Sequence, residues 1–390
     1  MGDTEDDFAK VLPVQVDEGF QPFSVQAKTL IVFEADNLPV GQVWLETGEL
    51  ARIPEDVPAR IERRRRSPSV QVPDWRLSVV ICTRDRPDEL RRCLASFPLQ
   101  SRPPDEVIVV DNASVSPATR EVALSAGATY IREDRAGLDF ARNSGVLATS
   151  GDLVLFTDDD TELHPDWIAN ITAAFRDEEV TAVTGLVLPA VLKTEAQWVF
   201  ETQWGFGRGF DRIDFGPEFY RATRDRGCPS WEIGAGANMA FRRSIFEEIG
   251  LFDERLGAGQ SGCADDSEFW YRILAAGGTC RYEPTAVMYH HHRLTMDGLA
   301  SQIYQYMRGH AAGLMVQHER TGDRGNLRRA FIDLPRYFCR CAVKRLTGKR
   351  ATHDRYLAQQ VRGTIAGLFF YWRSKRSTID PASSSSVRLD

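Results

Sequence analysis

Residues 153–161 read LVLFTDDDT, and the fold follows from how that stretch is interpreted. Val154, Leu155 and Phe156 form a short apolar run of the length expected for a buried strand. The run breaks into three consecutive carboxylates, Asp158, Asp159 and Asp160. A buried parallel strand presents its ligand-facing end at its C-terminus, so the acids would sit at the rim where such sheets bind ligands. Like charges this close repel, and a divalent cation with oxygen ligands is the simplest offset. The same letters also suit a tight turn or the N-cap of a following helix. Taken alone, the stretch leaves the two readings level.

The preceding residues tip the balance. LSVVICT (77–83) reads as a strand, and RPDELRRCLASF as an amphipathic helix with Leu90, Cys93, Leu94 and Phe97 at helical spacing. DEVIVVDNAS is a second strand, TREVALSAG a helix and ATYIRED a third strand. Gly137–Thr149 is a helix carrying Arg142 and Asn143. Strands alternating with helices predict parallel βαβ units and a doubly wound sheet. Each strand ends in polar residues: Thr83-Arg84-Asp85, Asp111-Asn112 and Asp158–Asp160. They would converge on one sheet edge. The first strand runs into CTRDRP instead of GxGxxG, which argues against a nicotinamide dehydrogenase, and no P-loop is present. A nucleotide still fits that edge, with Asp111 on a base, Asp158 on a ribose and a metal carrying the charge.

The remainder of the 390 residues sets bounds on partners. A formal charge of −7 argues against a nucleic-acid partner. Seven cysteines without a CxxC pair, and no secretory signal, predict reduced thiols in the cytoplasm. The apolar run Ile365–Trp372 is well short of the ~20 residues of a spanning helix, so a soluble protein, or one peripheral at the inner face of the plasma membrane, is expected. Residues 1–76 read as a small β-rich module and linker. TLIVFEADNLPVGQVWL gives two strands around a turn at Asn37–Gly41. IERRRRSPSVQVPD reads as a connector, its Arg63–Arg66 run being either solvated or a patch for acidic lipid or a phosphorylated acceptor. Residues 298–376 read as a helical extension with basic outer faces. Those helices either pack on the main domain or also touch an anionic membrane. Residues 377–390 read as a disordered tail.

The order VVICTRDRP, VVDNAS, ARNSG, FTDDDTELHPDW resembles family-2 glycosyltransferases of the GT-A fold. GAGANMAFRRSIFEEIGLFDERL resembles that family's acceptor-side segment. GCADDSEFWYRILAAGG stands in the place of its Glu-Asp motif, with Asp265 at the first position. The resemblance runs from about Leu77 to Tyr306. It implies a Rossmann-like GT-A domain over 77–297, with a mixed, mostly parallel sheet flanked by helices and a division near 165 into nucleotide-sugar and acceptor halves. It implies inverting, metal-dependent transfer of a sugar from a nucleoside-diphosphate sugar to a hydroxyl of a glycan, lipid-linked or small-molecule acceptor, in cell-surface polysaccharide or glycoconjugate synthesis. Carried onto this chain, Thr83, Arg84, Asp85, Asp111, Asn143, Asp158 and Asp159 would hold the donor. Asp158, Asp160 and His290 would hold Mn²⁺ or Mg²⁺, with His292 in reserve for His290. Asp266, or Asp265 beside it, would be the base. Capping the following helix is the plainer reading of both acids.

Two regions remain open. Residues 193–231 are rich in aromatics, Gly and Arg without periodicity, which fits an acceptor loop or lid, or an insertion folding onto the core. Gly234, Gly236 and Asn238 point to a close backbone approach. Among other functions, a nucleotidyltransferase would want a Gly-rich loop and a Lys after the first strand, which are missing. A glycoside hydrolase would leave the nucleotide-type edge without purpose. A non-catalytic sugar- or nucleotide-binding protein would keep its function without Asp266.

Overall fold

The computed structural model describes residues 7–17, 19–66, 73–347 and 355–377. The first strands, β1 (Lys10–Gln15), β2 (Thr29–Ala35) and β3 (Leu38–Leu45), form a small sheet of their own. The chain then lays down β4 (Leu77–Thr83), β5 (Glu106–Asn112), β6 (Thr129–Glu133) and β7 (Leu153–Asp158), with helices Pro87–Leu94, Ala118–Ser125 and Leu138–Ala148 between them. Next come β8 (Thr161–Leu163), β9 (Val180–Pro189), β10 (Ile213–Phe215), β11 (Asn238–Arg242) and β12 (Thr279–His290). The large sheet runs β10-β12-β9-β11-β7-β4-β5-β6, with β8 on the far end of β12. The mixed α/β sheet flanked by helices is the one expected.

The apolar runs are continuous because both faces of the sheet are covered. Val80, Val110, Val154 and Phe156 enter one core layer, while Val79, Ile81, Val109, Leu153 and Leu155 enter the other. Strands β6, β5, β4 and β7 are mutually parallel, so their C-terminal ends share one edge. Beyond β7 the pattern changes: β11 is antiparallel to both β7 and β9, and β9 is parallel to β12.

The N-terminal sheet differs from its sequence reading in two respects. Its turn is Asp36-Asn37, both at positive φ (52° and 61°), the two-residue geometry that suits the twist of a hairpin. Gly41 lies inside β3, where a Cβ would come within 2.5 Å of Val57. The Arg run is not a connector but the end of helix Val57–Arg66, and its charges are taken up locally. Arg60 and Arg63 reach Asp211, Arg64 reaches the Leu38 and Pro39 carbonyls, and Arg65 pairs with Asp17 and Asp36. Residues 67–72 of the expected connector lie outside the described residues. The small sheet is fastened to the large one: Ala9 N donates to Leu192 O (3.0 Å), His164 Nε2 meets Asn37 O (3.0 Å), and Trp44 stands edge-on to Trp198 at 4.9 Å.

The C-terminal extension is built from helices Met296–Thr321, Leu334–Leu346 and Leu357–Ser377. The first and last cross closely, because a Cβ at Gly363 or Gly367 would come within 2.4 Å of Tyr304 O or 2.1 Å of Arg308 O. No helix among the described residues is long and apolar enough to cross a membrane. Of the expected 377–390 tail, residue 377 ends the last helix and residues 378–390 lie outside the described residues, as do residues 1–6.

Candidate active site

The register of the parallel strands sets one side of the site. Cys82 stands beside Asp158 and Thr83 beside Asp111, so the polar strand ends meet on one rim. After Asp158 the chain turns through Asp159 and Asp160 into β8, which pairs antiparallel with the end of β12 and sets Thr161 opposite His290. That pairing brings His290 Nε2 to 3.2 Å from Asp160 Oδ1. Ligand atoms of Asp158, Asp160 and His290 all lie within 4.8 Å of one another.

The three acids are not equivalent. Asp159 is turned inward and 3% exposed; it accepts from Thr83 Oγ1 (2.7 Å) and Arg86 Nη1 (2.6 Å). Burial pushes its carboxyl up to about 7, although Arg86 opposes this. Arg86 Nη2 donates to Asp160 at 2.8 Å. Burial raises the Asp160 carboxyl too, but His290 and Arg86 outweigh it and hold it well below the usual range. Asp158 is pushed upward, first by burial and then by Asp160. Its charge is thus the least compensated of the three. Two carboxylates and an imidazole, with a deficit of positive charge between them, fit a divalent cation such as Mn²⁺ or Mg²⁺.

A buried chain runs behind His290. Its Nδ1 lies 3.1 Å from His292 Nδ1, and His292 Nε2 lies 2.8 Å from Glu201 Oε2. A carboxylate accepts, so His292 carries its proton on Nε2. Burial lowers the His292 pKa and keeps the ring neutral, so its Nδ1 accepts from His290 Nδ1–H. His290 Nε2 faces the Asp160 carboxylate, which raises the His290 pKa and accepts its N–H while the ring is protonated; once that proton is lost, the lone pair is left on Nε2.

On the nucleotide side, Asp111 is buried and accepts from Ser114 N (3.2 Å), Tyr130 Oη (2.7 Å) and Arg132 Nη1 (3.0 Å). Burial alone would raise its carboxyl, but these donors lower it. Asp85 has a positive φ of 53°; its N–H donates to Ser114 Oγ (2.8 Å) and its Oδ1 accepts from Val115 N (2.7 Å). Arg84 is exposed and stands 4.0 Å from Asp85. Asn143 is engaged elsewhere. Its carboxamide bonds to both backbone groups of Phe252, each at 3.0 Å, and ties helix Leu138–Ala148 to the segment after β11.

On the acceptor side, helix Asp265–Ala275 is preceded by Ala264 in the left-handed conformation (φ 72°). The cap position is therefore Ala264, and neither aspartate fills it. Asp265 forms an ion pair with Arg142, whose guanidinium also lies 3.6 Å from the buried Asp139. Asp266 Oδ2 accepts from Gly236 N (2.8 Å) and its Oδ1 from Ser267 N (2.6 Å). A Cβ at Gly236 would stand 3.0 Å from Asp266 Oδ2 and 3.1 Å from Arg142 Nη2. The close approach expected of this glycine is therefore to Asp266. Asn238 closes the core instead, accepting from Trp167 Nε1 (2.9 Å) and donating to Leu186 O and Ala286 O.

Asp158, Asp266 and Glu201 face one cavity of about 1080 Å³, walled by Trp204, Phe206 and Trp231 from the aromatic segment. That segment is partly ordered as helices Glu195–Trp204 and Pro217–Thr223. Arg86, Glu201 and a role for Arg142 were not foreseen from the sequence. Arg86 and Arg142 stand inside CTRDRP and ARNSG, but only the folded chain shows which acid each one meets.

Residues 78–250 match the family described as Glycosyl transferase family 2. The pre-mycofactocin glycosyltransferase of Mycobacterium tuberculosis is 28% identical over 70% of this chain and 53% of its own length. The succinoglycan biosynthesis protein ExoM of Rhizobium meliloti is 25% identical over 75% of this chain and 92% of its own. The chain thus spans about half the length of the first of these relatives. Among solved structures, the mannosyltransferase PcManGT of Pyrobaculum calidifontis, in complex with GDP-Man and Mn²⁺, superposes with a TM-score of 0.52. It is 18% identical, and the match covers 80% of this chain and 93% of that one.

Proposed function

We propose that this chain is a family-2 glycosyltransferase that moves a sugar with inversion from a nucleoside-diphosphate sugar to an acceptor hydroxyl, assisted by a divalent cation. The observation that carries the reading is that the Asp158–Asp160–His290 group and Asp266 border the same site, with Asp158 and Asp266 facing one cavity. The mannosyltransferase of the same fold is complexed with GDP-Man and Mn²⁺, the ligand classes proposed here.

Asp158, Asp160 and His290 Nε2 would hold the cation, which when bound supplies Lewis-acid stabilisation of the leaving diphosphate. Arg86 fixes Asp159 and Asp160, and so the shape of the turn that presents them. Thr83, Asp85 and Asp111 line the edge for the nucleoside, with Arg84 exposed beside them. Asp266 receives the acceptor proton as the acceptor oxygen bonds to the anomeric carbon and the bond to the phosphate oxygen breaks. Attack from the face opposite the leaving group inverts that carbon. Gly236 N–H and Ser267 N–H hold the Asp266 carboxylate in place, and the Arg142–Asp265 pair braces the start of its helix.

The acceptor proposed is a glycan, lipid-linked or small-molecule hydroxyl, in line with a relative named for succinoglycan biosynthesis. We also propose peripheral contact with an anionic membrane at its cytoplasmic face. Ile365, Phe369 and Trp372, spaced i, i+4, i+7, are 63%, 59% and 51% exposed, and Val343 and Leu346 are 59% and 87% exposed. The exposed Arg336, Lys344, Arg345 and Arg362 are on the same two helices, a composition that suits an interface with acidic lipid.

A thermal-shift screen of UDP-, GDP- and dTDP-sugars with Mn²⁺, Mg²⁺ or EDTA tests the core reading. A metal-dependent rise in Tm with one nucleotide is expected, lost in Asp160→Ala and kept in Asp266→Ala. A non-catalytic binding protein would give the same shifts but show no turnover that depends on Asp266. The absence of any shift in folded protein would overturn the reading.

A further inference from the structure

The cavity is electrically lopsided. Its inner end carries Asp158, Glu201, Asp265 and Asp266, with Arg142 among them. Its outer end, against the C-terminal helices, carries Arg329 and Arg340. Among the described residues neither arginine has a carboxylate within 4.0 Å. Arg60, Arg86, Arg142, Arg255, Arg272 and Arg281 are ion-paired, whereas Arg208, which also lines the cavity, spends its donors on backbone carbonyls. Two acids also face the outer end. Asp333 lies 3.5 Å from Arg328, and Glu232 makes no ion pair among the described residues.

Arg329 is held in a fixed pose. Its guanidinium lies over the Trp231 ring at 4.0 Å, and its Nε donates to His310 Nε2 at 3.2 Å. His310 must be neutral to accept that bond, and burial followed by Arg329 drives its pKa down to about 3. Among the described residues the Nη groups of Arg329 make no hydrogen bond. Burial disfavours the Arg329 charge, and the more distant Asp333 and Glu232 only partly offset this. The backbone here, Arg329–Asp333, is a single π turn between two α-helical stretches, an uncommon local geometry that recurs at functional sites. A half-buried guanidinium, preoriented and without a counter-charge, is a site for an oxyanion. Arg340 lies eleven residues further along, on helix Leu334–Leu346, which continues directly from the π turn; it lines the same cavity and is exposed. Between the two ends the wall is apolar or aromatic, with Ile303, Tyr306, Met307, Leu334 and Tyr337.

We propose that the outer end of this cavity binds the phosphoryl group of a phosphorylated acceptor through Arg329 and Arg340, while the acceptor hydroxyl lies at Asp266. The inference rests on the glycosyltransferase reading for the identity of the ligand as acceptor. It does not need that reading for the anion site itself. The phosphoryl group could belong to a water-soluble sugar phosphate or to a lipid phosphate, and the apolar wall gives the second a place for the first part of its chain.

The test is isothermal titration in EDTA, where the uncompensated acid cluster does not attract phosphate, using the full chain with farnesyl phosphate, glucose 1-phosphate and inorganic phosphate. Wild type should bind at least one of the first two. Arg340→Glu, an exposed change that should leave the Tm where it is, should weaken that binding about tenfold or more, and Arg329→Gln should weaken it further. Asp160→Asn should leave it intact. Binding of farnesyl phosphate alone assigns the lipid source, and binding of glucose 1-phosphate with similar strength assigns the soluble one. If no phosphate compound binds, or if wild type and a folded Arg340→Glu bind alike, the proposal is overturned. Failure of the glycosyltransferase reading would show separately, as absence of the metal-dependent nucleotide-sugar shift.

Discussion

The proposed donor rim and the proposed acceptor cavity lie side by side but are built differently. The rim is made by four parallel strands whose C-terminal ends fall in register, so Thr83, Asp111 and Asp158 are placed by backbone hydrogen bonding alone. The cavity is assembled from separated segments: helix Glu195–Trp204, the stretch around Trp231–Ala237, helix Asp265–Ala275 and the C-terminal helices. A rim set by sheet register tolerates little change, whereas a cavity set by packing of separate segments can be reshaped piece by piece. The contrast teaches that donor chemistry should be the rigid part of this protein and acceptor choice the adjustable part.

The sharpest way to break that comparison is to separate binding from turnover. Asp266→Asn keeps an oxygen to accept from Gly236 N–H but cannot take a proton. Transfer should fall by about 10²–10⁴, while the metal-dependent Tm shift with the donor stays as in wild type. Stopped assays of nucleoside-diphosphate release check the first, and the thermal-shift series the second. A loss of donor binding in this variant would mean that the two regions are not separable.

Arg142 joins them. It lies in the helix before β7, pairs with Asp265 and stands 3.6 Å from Asp139, whose buried carboxyl has no hydrogen-bond partner and is pushed up to about 8 by burial. Arg142→Met leaves the buried Asp265 carboxylate without its cation, and about 3–5 kcal/mol of stability should go. Denaturant unfolding measures it. The double variant with Asp265→Asn should recover part of the loss, since the amide carries no charge to strand, whereas Asp139, already pushed up to about 8, is largely neutral near pH 7. A full-stability Arg142→Met would show that the halves are held by apolar packing instead.

The donor side can be probed by pH. A cation bound at the proposed site would have to displace protons from His290 and Asp158, and both groups bind theirs more tightly than usual. Burial alone would lower the His290 pKa, but the Asp160 carboxylate raises it, while burial raises that of Asp158. Mn²⁺ affinity should therefore be full above the raised His290 value and fall as pH drops through it, about tenfold per unit for each proton displaced. Asp160, held low, adds nothing in this range. Titration calorimetry at pH 8.5 and pH 6.5, in buffers of different ionisation heat, reads both the affinity and the protons released.

The same asymmetry governed what could be read before folding. Each rim acid stands at the end of an apolar run, so period and position together marked it. His290 was set ahead of His292 by resemblance alone, because the β8–β12 pairing that positions it joins residues far apart in sequence. Asn143 was read from its motif, yet its amide closes on Phe252, 109 residues away. Arg86, Glu201 and Arg329 carried no local signal, since an arginine or a glutamate in a polar stretch reads as solvated until its neighbour is known. The helix Val57–Arg66 was missed for a related reason. Four arginines in a row hide the apolar period, and its anchors are Asp17, Asp36, Asp211 and two carbonyls on other elements.

That last region sets the smallest prediction, and it separates two basic patches. If Arg63–Arg66 bound acidic lipid, reversing Arg65 would weaken sedimentation with vesicles of anionic phospholipid. Its guanidinium is instead already paired with Asp17 and Asp36, which leaves little field to attract a lipid headgroup. Lys344 and Arg345 are exposed beside Val343 and Leu346, and no ion pair among the described residues uses them. Neutralising each should lower vesicle affinity about fivefold, in line with roughly 1 kcal/mol for a basic residue near an anionic surface. Arg65→Glu should sediment with the vesicles as wild type does, whereas the Lys344→Gln/Arg345→Gln double variant should stay largely in the supernatant. The reverse pattern would move membrane contact from the C-terminal helices to the N-terminal sheet, and with it the direction from which an acceptor reaches Asp266.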